Sequence, residues 1–585
     1  MKMKMKNLIF LLICIPLLFV TACKDFLEEE NHSKITPESF NTPQGFELGL
    51  NGVYGGMRAF YGPISAIHML TVTGTDEFYS RASGDIYNFG NYTANYKPSS
   101  DYIYSYWRSS YTLINTCNGL VHFGQDMTGI TETKKTTMLA ETKFFRALLY
   151  FRLVQFFGDV TLNRTYNDGV IKEAKRDPMA DVYDFIIEDL LYCTTPGNLP
   201  AGSKDTNTGR VTQALARHLL AKVYLTRGWS SAAQSTDFQQ AYDVATALIE
   251  DGEQIGVKLM PKYADIHKPG NENNQEILYS VQMTNDPIYG VPESDANMNH
   301  LSHVFVAGYF NFNGSGNVQQ IEDGRVYARY HGTTWLYNEA FGDVDKDSRY
   351  YATFQSEWKA PVDFQNRTQE FYVGNTKYSA IRSGAKGNLA GYLPGKNMTR
   401  EEIGATNYYI LTPENYTDPS FPTMKKFLDP NRASLSFDSQ RSIIVYRLAE
   451  TYLIAAEAAF KLGNNSTNNG AAYYINELRK RAASKEEYID DLMIAPGDIT
   501  IDYILDERTR ELCGEQLRWF DLVRTQKLVE RVRKHGFFTT KWTNHTLPKD
   551  NIQDFHVLRP IPLKQIESVI AGDPYPQQSN GWDNM

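Results

Sequence analysis

The chain has 585 residues and carries 59 Lys and Arg against 68 Asp and Glu, a formal net charge of −9. Apolar content of 42% and charged content of 22% are globular values, and the acidic balance excludes a nucleic-acid partner that needs a basic face. Five cysteines, Cys14, Cys23, Cys117, Cys193 and Cys513, follow no paired spacing, so neither a disulfide framework nor a zinc site is expected.

The first element is a leader. Lys2, Lys4 and Lys6 precede an apolar run from Leu8 to Val20 that is broken by Pro16. The run is shorter than the roughly 20 residues of a transmembrane helix, and its basic flank and small closing residues fit a signal peptide over 1–22. Thr21-Ala22-Cys23 resembles a lipobox, which makes Cys23 the expected lipidation site. Three acyl chains there exceed the two signals that stable anchoring requires. Lys24 after the cysteine, with acids following, resembles a surface-export signal of outer-membrane lipoproteins. Cleavage also removes three lysines and no acid, leaving the mature chain more acidic.

Residues 23–45 read as a lipidated start and tether leading into a single domain over 46–585. Helical periodicity begins near 44–60 and returns at 101–123, where Tyr104, Trp107, Tyr111, Ile114 and Asn118 share one face. Four helical pairs follow. The first opens with "TTMLAETKFFRALLYFRLVQFFGDV", apolar nearly all round and therefore expected to be buried on most sides, with Gly158 as its stop. The second, "VTQALARHLLAKVYLTRG" with "DFQQAYDVATALIEDG", and the third, "YRLAETYLIAAEAAFKLG" with "GAAYYINELRKRAA", share a small-residue grammar with glycines at their ends, a degenerate TPR-like repetition. The fourth is "TIDYILDERTRELCG" with "EQLRWFDLVRTQKLVE". The fold class expected is mainly α: a TPR-like helical-pair scaffold over about 46–260 and 440–535, carrying a loop-rich lobe with short strands over about 260–440, and a C-terminal segment over 536–585. Loops on a rigid scaffold commonly carry binding residues.

Taken together, these blocks resemble the SusD/RagB family of outer-membrane lipoproteins. "CKDFLEEE" resembles the family's start, "AETKFFRALLYFRLVQFFGDV" its long helix ending in Phe-Gly-Asp, and "RLAETYLIAAEAAFKLG" with "YYINELRKRAA" its late TPR-like pair. "ILDERTRELCGEQLRWFDLVR" and "LRPIPLKQIE" resemble its charged signature and its Pro-Ile-Pro turn. Thr161 stands where the family usually has proline, and "PQQSNGW" replaces its usual ending. The resemblance implies a cell-surface protein, held at the outer membrane by its lipid, that lies as a lid over a SusC-like TonB-dependent transporter and holds a nutrient, most often an oligosaccharide or polysaccharide. It does not imply catalysis.

Several charged and aromatic clusters suggest a chemistry that a simpler reading also explains. The carboxylates of "DERTRELCGEQLRWFDLVR" are read as helix ion pairs at i,i+3 and i,i+4, among them Asp506 with Arg510 and Asp521 with Arg518 and Arg524. Asp343, Asp345 and Asp347 begin like a calcium loop, but Ser348 and Phe354 occupy the positions where an EF-hand needs Gly and Glu. No cofactor is expected, and a structural calcium ion at these aspartates stays open. His300 and His303 lack a third ligand, and no Walker loop or Gly-x-Ser-x-Gly elbow occurs. With 38 tyrosines and 31 phenylalanines, the chain offers many rings that could stack on sugars. The first candidate ligand neighbourhood is 75–96, where Arg81, Asp85 and Asn88 could bond hydroxyls and Tyr87, Phe89 and Tyr92 could stack. Thr75-Asp76-Glu77 resembles a family segment just before a loop of the glycan site. The second neighbourhood holds Tyr309, Phe310, Phe312 and Trp335. A peptide ligand of the same family type, a surface hydrolase and a ligand-free scaffold are the rival readings.

Overall fold

A computed structural model describes residues 37–63, 67–81, 83–202, 209–283, 299–312, 318–539, 544–545, 548–578 and 581–584. The leader, Cys23 and most of the tether lie outside the described residues. Packed structure is present within the span read as tether. Pro37–Asn41 forms a 3-10 turn and buries Phe40 against Gly49 and Leu120. Thr42 then caps α1 (Pro43–Tyr61) by accepting from the Gly45 amide.

The main helices are α2 (Asp101–Gly124), α3 (Glu132–Phe157), α4 (Met179–Thr194), α5 (Gln213–Trp229), α6 (Asp237–Asp251), α7 (Leu448–Lys461), α8 (Ala471–Ala482), α9 (Ile501–Leu512), α10 (Arg518–Arg524) and α11 (Leu528–His535). Ser100, Thr131, Thr212 and Thr500 start α2, α3, α5 and α9 by accepting a backbone N–H, as N-cap residues do. From Met138 onward every residue of α3 except Lys143 is buried, as its all-round apolar pattern predicts. Gly158 ends α3 at φ 72°, a conformation that favours glycine. Gly228, expected as a stop, instead lies inside α5, where a Cβ would meet the Phe238 ring at 2.9 Å, so its role is close packing of α6 on α5.

The stack runs α2–α3–α4–α5–α6, and α7 then packs on α6 and α5 although some 200 residues intervene. The lobe is thus spliced between neighbouring layers of one helical stack. Strands β2 (Ile277–Val281) and β6 (Ile443–Arg447) pair antiparallel at its base and close the insertion. Within it, β4 (Phe364–Val373) and β5 (Thr376–Gly384) form a hairpin. One large apolar core runs from Phe40 to Trp582. Among the described residues no helix is long and apolar enough to cross a membrane.

The C-terminal segment returns to the long helix. The Arg559 amide donates to the Phe156 carbonyl at 2.7 Å, and Ile561 and Trp582 are buried. The two departures from the family pattern meet here. The Thr161 hydroxyl donates to the Lys175 carbonyl at 2.8 Å and lies 3.0 Å from the Tyr575 hydroxyl. Gln577 and Gln578 both accept from the Ile561 amide.

The charged signature is structural, but its pairs are mostly long-range. Asp506 pairs with Arg531 rather than Arg510, at 2.5 Å. Glu507 holds Arg349 and Arg479 at 2.7 Å each and Arg510 at 2.8 Å. Glu511 contacts Arg447 at 2.5 Å, Arg349 at 3.2 Å and Arg481. Glu515 binds Arg447 at 2.8 Å and Lys426 at 2.9 Å. Because Arg349, Lys426 and Arg447 come from the lobe and its base, these buried bridges lock the lobe to α9. Removing one partner would leave its mate charged in a low-dielectric interior.

Candidate functional site

The segment that leads into β1 (Phe78–Ser80) is fixed by buried charge. Asp76 is fully buried and accepts from Arg518 Nε at 2.7 Å, Arg518 Nη2 at 2.6 Å and Arg531 Nε at 2.6 Å. Burial alone would raise its pKa, but the two guanidiniums hold it far below the usual carboxylate range. Next to it, burial pushes Glu77 up to about 7, with Arg518 opposing and Asp76 reinforcing the shift.

β1 pairs antiparallel with β3 (Tyr330–Gly332), and the zipper continues outward through the Arg81 amide to the Arg329 carbonyl at 2.9 Å. Arg81 itself is exposed. Its guanidinium pairs with the Asp418 carboxylate and donates to the Asp418 carbonyl at 3.0 Å. One residue on, the Pro419 carbonyl accepts from the Gly308 amide at 2.7 Å. The two neighbourhoods expected from sequence are therefore brought to one seam: the end of β1 on one side, Gly308 to Asn311 on the other, and Asp418-Pro419 between them.

Five expected contact residues do not reach that surface. Phe89, Tyr92, Tyr309, Phe312 and Trp335 are 1, 3, 0, 2 and 6% exposed, and their rings have no open face for a sugar. Phe89 stands edge-on to Tyr96 at 4.5 Å, and Phe312 edge-on to Trp358 at 4.9 Å. The Tyr92 hydroxyl donates to the Gly74 carbonyl at 2.5 Å, and the Tyr309 hydroxyl donates to that of Gly324 at 3.0 Å. Trp335 covers the Asp76 cluster, with Arg531 4.9 Å and Arg518 5.9 Å from its ring and His535 tilted against it at 4.9 Å. Burial of these rings stabilises the loops by roughly 1.5–3 kcal/mol each without a ligand.

The remaining expected residues stay at the surface. Arg81 is exposed, and Asp85, Tyr87 and Asn88 are half-buried on the short helix Asp85–Asn91. That helix is pinned to β1 by the Asn91 carboxamide, which donates to the Ser80 carbonyl at 2.8 Å and the Tyr87 carbonyl at 2.9 Å. Asp85 accepts from the Ser100 hydroxyl at 2.7 Å, and Asn88 from that of Thr93 at 2.7 Å.

Sequence reasoning missed Tyr327 and its companions. The half-buried Tyr327 ring rests on His303 at 5.1 Å and is flanked by Arg325 at 5.0 Å and Arg329 at 5.2 Å. Phe310 is half-buried and Asn311 exposed on the Gly308 side of the seam. The signal was the short string "RVYAR", a ring between two cations, which helical periodicity does not detect. His300 and His303 both lie 3.2 Å from Asp438, a carboxylate-linked pair. Asp347 pairs with Arg349 at 2.7 Å, Asp345 with Lys396 at 2.5 Å, and Asp343 lies 3.8 Å from Lys346. Among the described residues no three His, Cys, Asp or Glu side chains converge as a metal-holding group.

A family profile described as SusD family matches residues 269–582, more than half of the chain. The chain belongs to the SusD family. A second profile, described as starch-binding associating with outer membrane, matches residues 25–225. A SusD-like protein of Formosa agariphila is 25% identical, the match covering 97% of each chain. The same fold occurs in a SusD homologue from Bacteroides thetaiotaomicron, with a TM-score of 0.69, 19% identity and coverage of 94% of this chain and 99% of that one. It also occurs in a laminarin-binding SusD-like protein, with a TM-score of 0.64, 22% identity and coverage of 92% and 99%. The helical stack and its spliced lobe are thus the SusD fold, and the seam lies where the lobe meets the segment after β1.

Proposed function

We propose that this SusD-family protein is a cell-surface lipoprotein that captures oligosaccharides and passes them to a SusC-like TonB-dependent outer-membrane transporter. The observation that carries the reading is the seam. The Arg81–Asp418 pair and the Gly308–Pro419 hydrogen bond join two sequence-distant segments into one surface. The segments that meet there, and those next to them in the chain, carry the half-buried rings of Tyr87, Phe310 and Tyr327 and the polar side chains of Arg81, Asn88, Asn311 and Arg329. Flat rings with polar groups at their edges suit sugars, which present C–H faces and hydroxyls together. The starch-binding description of one matching profile and the laminarin-binding relative support the same ligand class. Catalysis is not part of the reading: Glu507, Glu511 and Glu515 are buried and held by Arg and Lys rather than paired across an open cleft.

Retention on insoluble polysaccharide, combined with cell fractionation, tests the two halves. The protein is expected to be retained by at least one polysaccharide and to sit in the outer-membrane fraction, and Cys23→Ala is expected to release it. Failure of every polysaccharide to retain it would overturn the ligand class. An unchanged fractionation of Cys23→Ala would overturn the lipid anchor.

A further inference from the structure

A large cavity lies within the lobe, and none of its lining residues takes part in the seam. Its volume is about 670 Å³, inside the roughly 300–1,000 Å³ typical of small-ligand sites. Two walls frame it. On one, the Gln355 amide donates to Asp323 at 2.6 Å and to the Glu357 carbonyl at 3.1 Å, and the Gln320 amide donates to Asp323 at 3.0 Å and to the Lys359 carbonyl at 3.3 Å. Loop 320–323 is thereby laid along the strand Glu357–Lys359. On the other, the Arg441 guanidinium donates to the carbonyls of His267, Lys426 and Leu428 at 2.6, 3.0 and 2.6 Å, which holds loop 264–269 against 425–430. The walls meet where the Lys425 amide donates to the Thr353 carbonyl at 2.7 Å, and where Gly324 leaves room for Leu428, which an added Cβ would meet at 2.9 Å.

The two walls differ in sign. The first carries Glu322, Asp323 and Glu357, and the second carries His267, Lys268, Lys425 and Lys426. Part of this charge is spent internally. Asp323 is buried and bound by the two amides, and His267 and Lys426 lie 3.3 and 2.9 Å from the Glu515 carboxylate. Glu322, Glu357, Lys268 and Lys425 are exposed, and none of the four has an ion pair among the described residues. Gln355 is committed to the frame, and Ser356 adds a hydroxyl. The half-buried Tyr351 ring, its hydroxyl held on the Pro394 carbonyl at 2.7 Å, lies among alanine, proline and leucine side chains.

We infer that this cavity binds a short peptide with free ends, its ammonium toward Glu322 and Glu357 and its carboxylate toward Lys268 and Lys425. Such a peptide carries one charge of each sign at opposite ends, which matches the polarity of the walls. Charge-assisted hydrogen bonds to the four uncommitted side chains supply orientation. Tyr351 and Leu428 supply apolar contact for a side chain between the ends. A lone cation or anion would answer one wall and meet like charge on the other. An uncharged glycan would answer neither, so the ligand class differs from that of the seam.

The test is calorimetric titration of the purified protein with the tripeptide Ala-Leu-Ala, its N-acetyl form and its C-terminal amide, at low and at high salt. The free peptide is expected to bind saturably, each blocked form at least about tenfold more weakly, and high salt to weaken the free peptide. Glu322→Gln with Glu357→Gln is expected to erase the penalty for N-acetylation and keep that for amidation. Lys268→Gln with Lys425→Gln is expected to do the reverse. All four side chains are exposed, so the melting temperature is expected to stay unchanged. Arg81→Ala and Tyr327→Ala, at the seam, are expected to leave peptide binding as it is, whatever they do to glycan binding. An absence of binding by the free peptide, equal affinity for the three forms, penalties that neither double variant alters, or loss of peptide binding in the seam variants would overturn the inference.

Discussion

The Asp76 carboxylate lies against the Arg518 guanidinium, 442 positions later in the chain, with both oxygens engaged at 2.7 and 2.6 Å. This contact ties the strand that leads into the candidate surface to the helix carrying the charged signature. Arg531 completes the cluster, and Trp335 covers it. The seam is therefore positioned by residues that never meet solvent.

Asp76→Asn tests that positioning. Loss of the carboxylate leaves Arg518 and Arg531 charged and underpaired in the interior, for which a cost of roughly 3–5 kcal/mol is typical. Chemical denaturation is expected to show that loss. Glycan retention by the folded fraction is expected to weaken as well, although Asp76 does not touch the surface.

Glu77 sets a pH dependence in the neutral range. Its carboxyl is raised from 4.5 to about 7, chiefly by burial. The folded protein therefore holds a proton between pH 4.5 and 7 that the unfolded chain has released. Its contribution favours the folded state below about pH 4.5 and is lost as pH rises through 7, by roughly 3 kcal/mol in all. Glu77→Gln, which fixes the neutral form, is expected to flatten the stability profile from pH 5 to 8 and to raise the melting temperature at pH 8.

Glu511 acts in the opposite direction at acid pH. Burial would raise its carboxyl, but Arg481, Arg447 and Arg349 bring it down to about 2. That stabilisation is complete above about pH 4.5 and is lost as pH falls through 2. Glu511→Gln is expected to destabilise the fold at pH 7 by about 3–5 kcal/mol. It is also expected to make the decline between pH 4.5 and 2 shallower, as followed by circular dichroism.

Buried and open rings are expected to separate cleanly. Phe89→Ala should cost about 3–5 kcal/mol of stability, the usual price of a large cavity. Tyr327→Ala should stay within about 1 kcal/mol of the parent, since its ring is half-open, yet lower glycan affinity at least about fivefold. Paired denaturation and binding curves check both.

Much of the scaffold was legible because a buried helix writes its contacts at three- and four-residue spacing. The α3 run, its Gly158 stop and the α5–α6 and α7–α8 pairs follow from that pattern. What the pattern does not carry is partnership across the chain. Spacing pairs Asp506 with Arg510, but Arg531 takes it from α11. The ligand rings show the same limit. Phe89, Phe312 and Trp335 stand in loop-like sequence, where a ring that anchors the loop and a ring that meets a ligand have identical composition. Only burial tells them apart, and it depends on Tyr96, Trp358 and Arg531, all distant from their partners or unmarked by periodicity. Tyr327 escapes the pattern because its cationic neighbours stand two residues away on either side, an extended-chain spacing with no helical signature.

The most direct test of the central claim is calorimetric titration of laminarin-, starch- and xyloglucan-derived oligosaccharides into the purified protein and its Arg81→Ala and Tyr327→Ala variants. The account predicts saturable binding of at least one of these glycans and a marked loss of affinity in both variants with the fold intact. Binding of none of them, or binding that both variants leave unchanged, would contradict it.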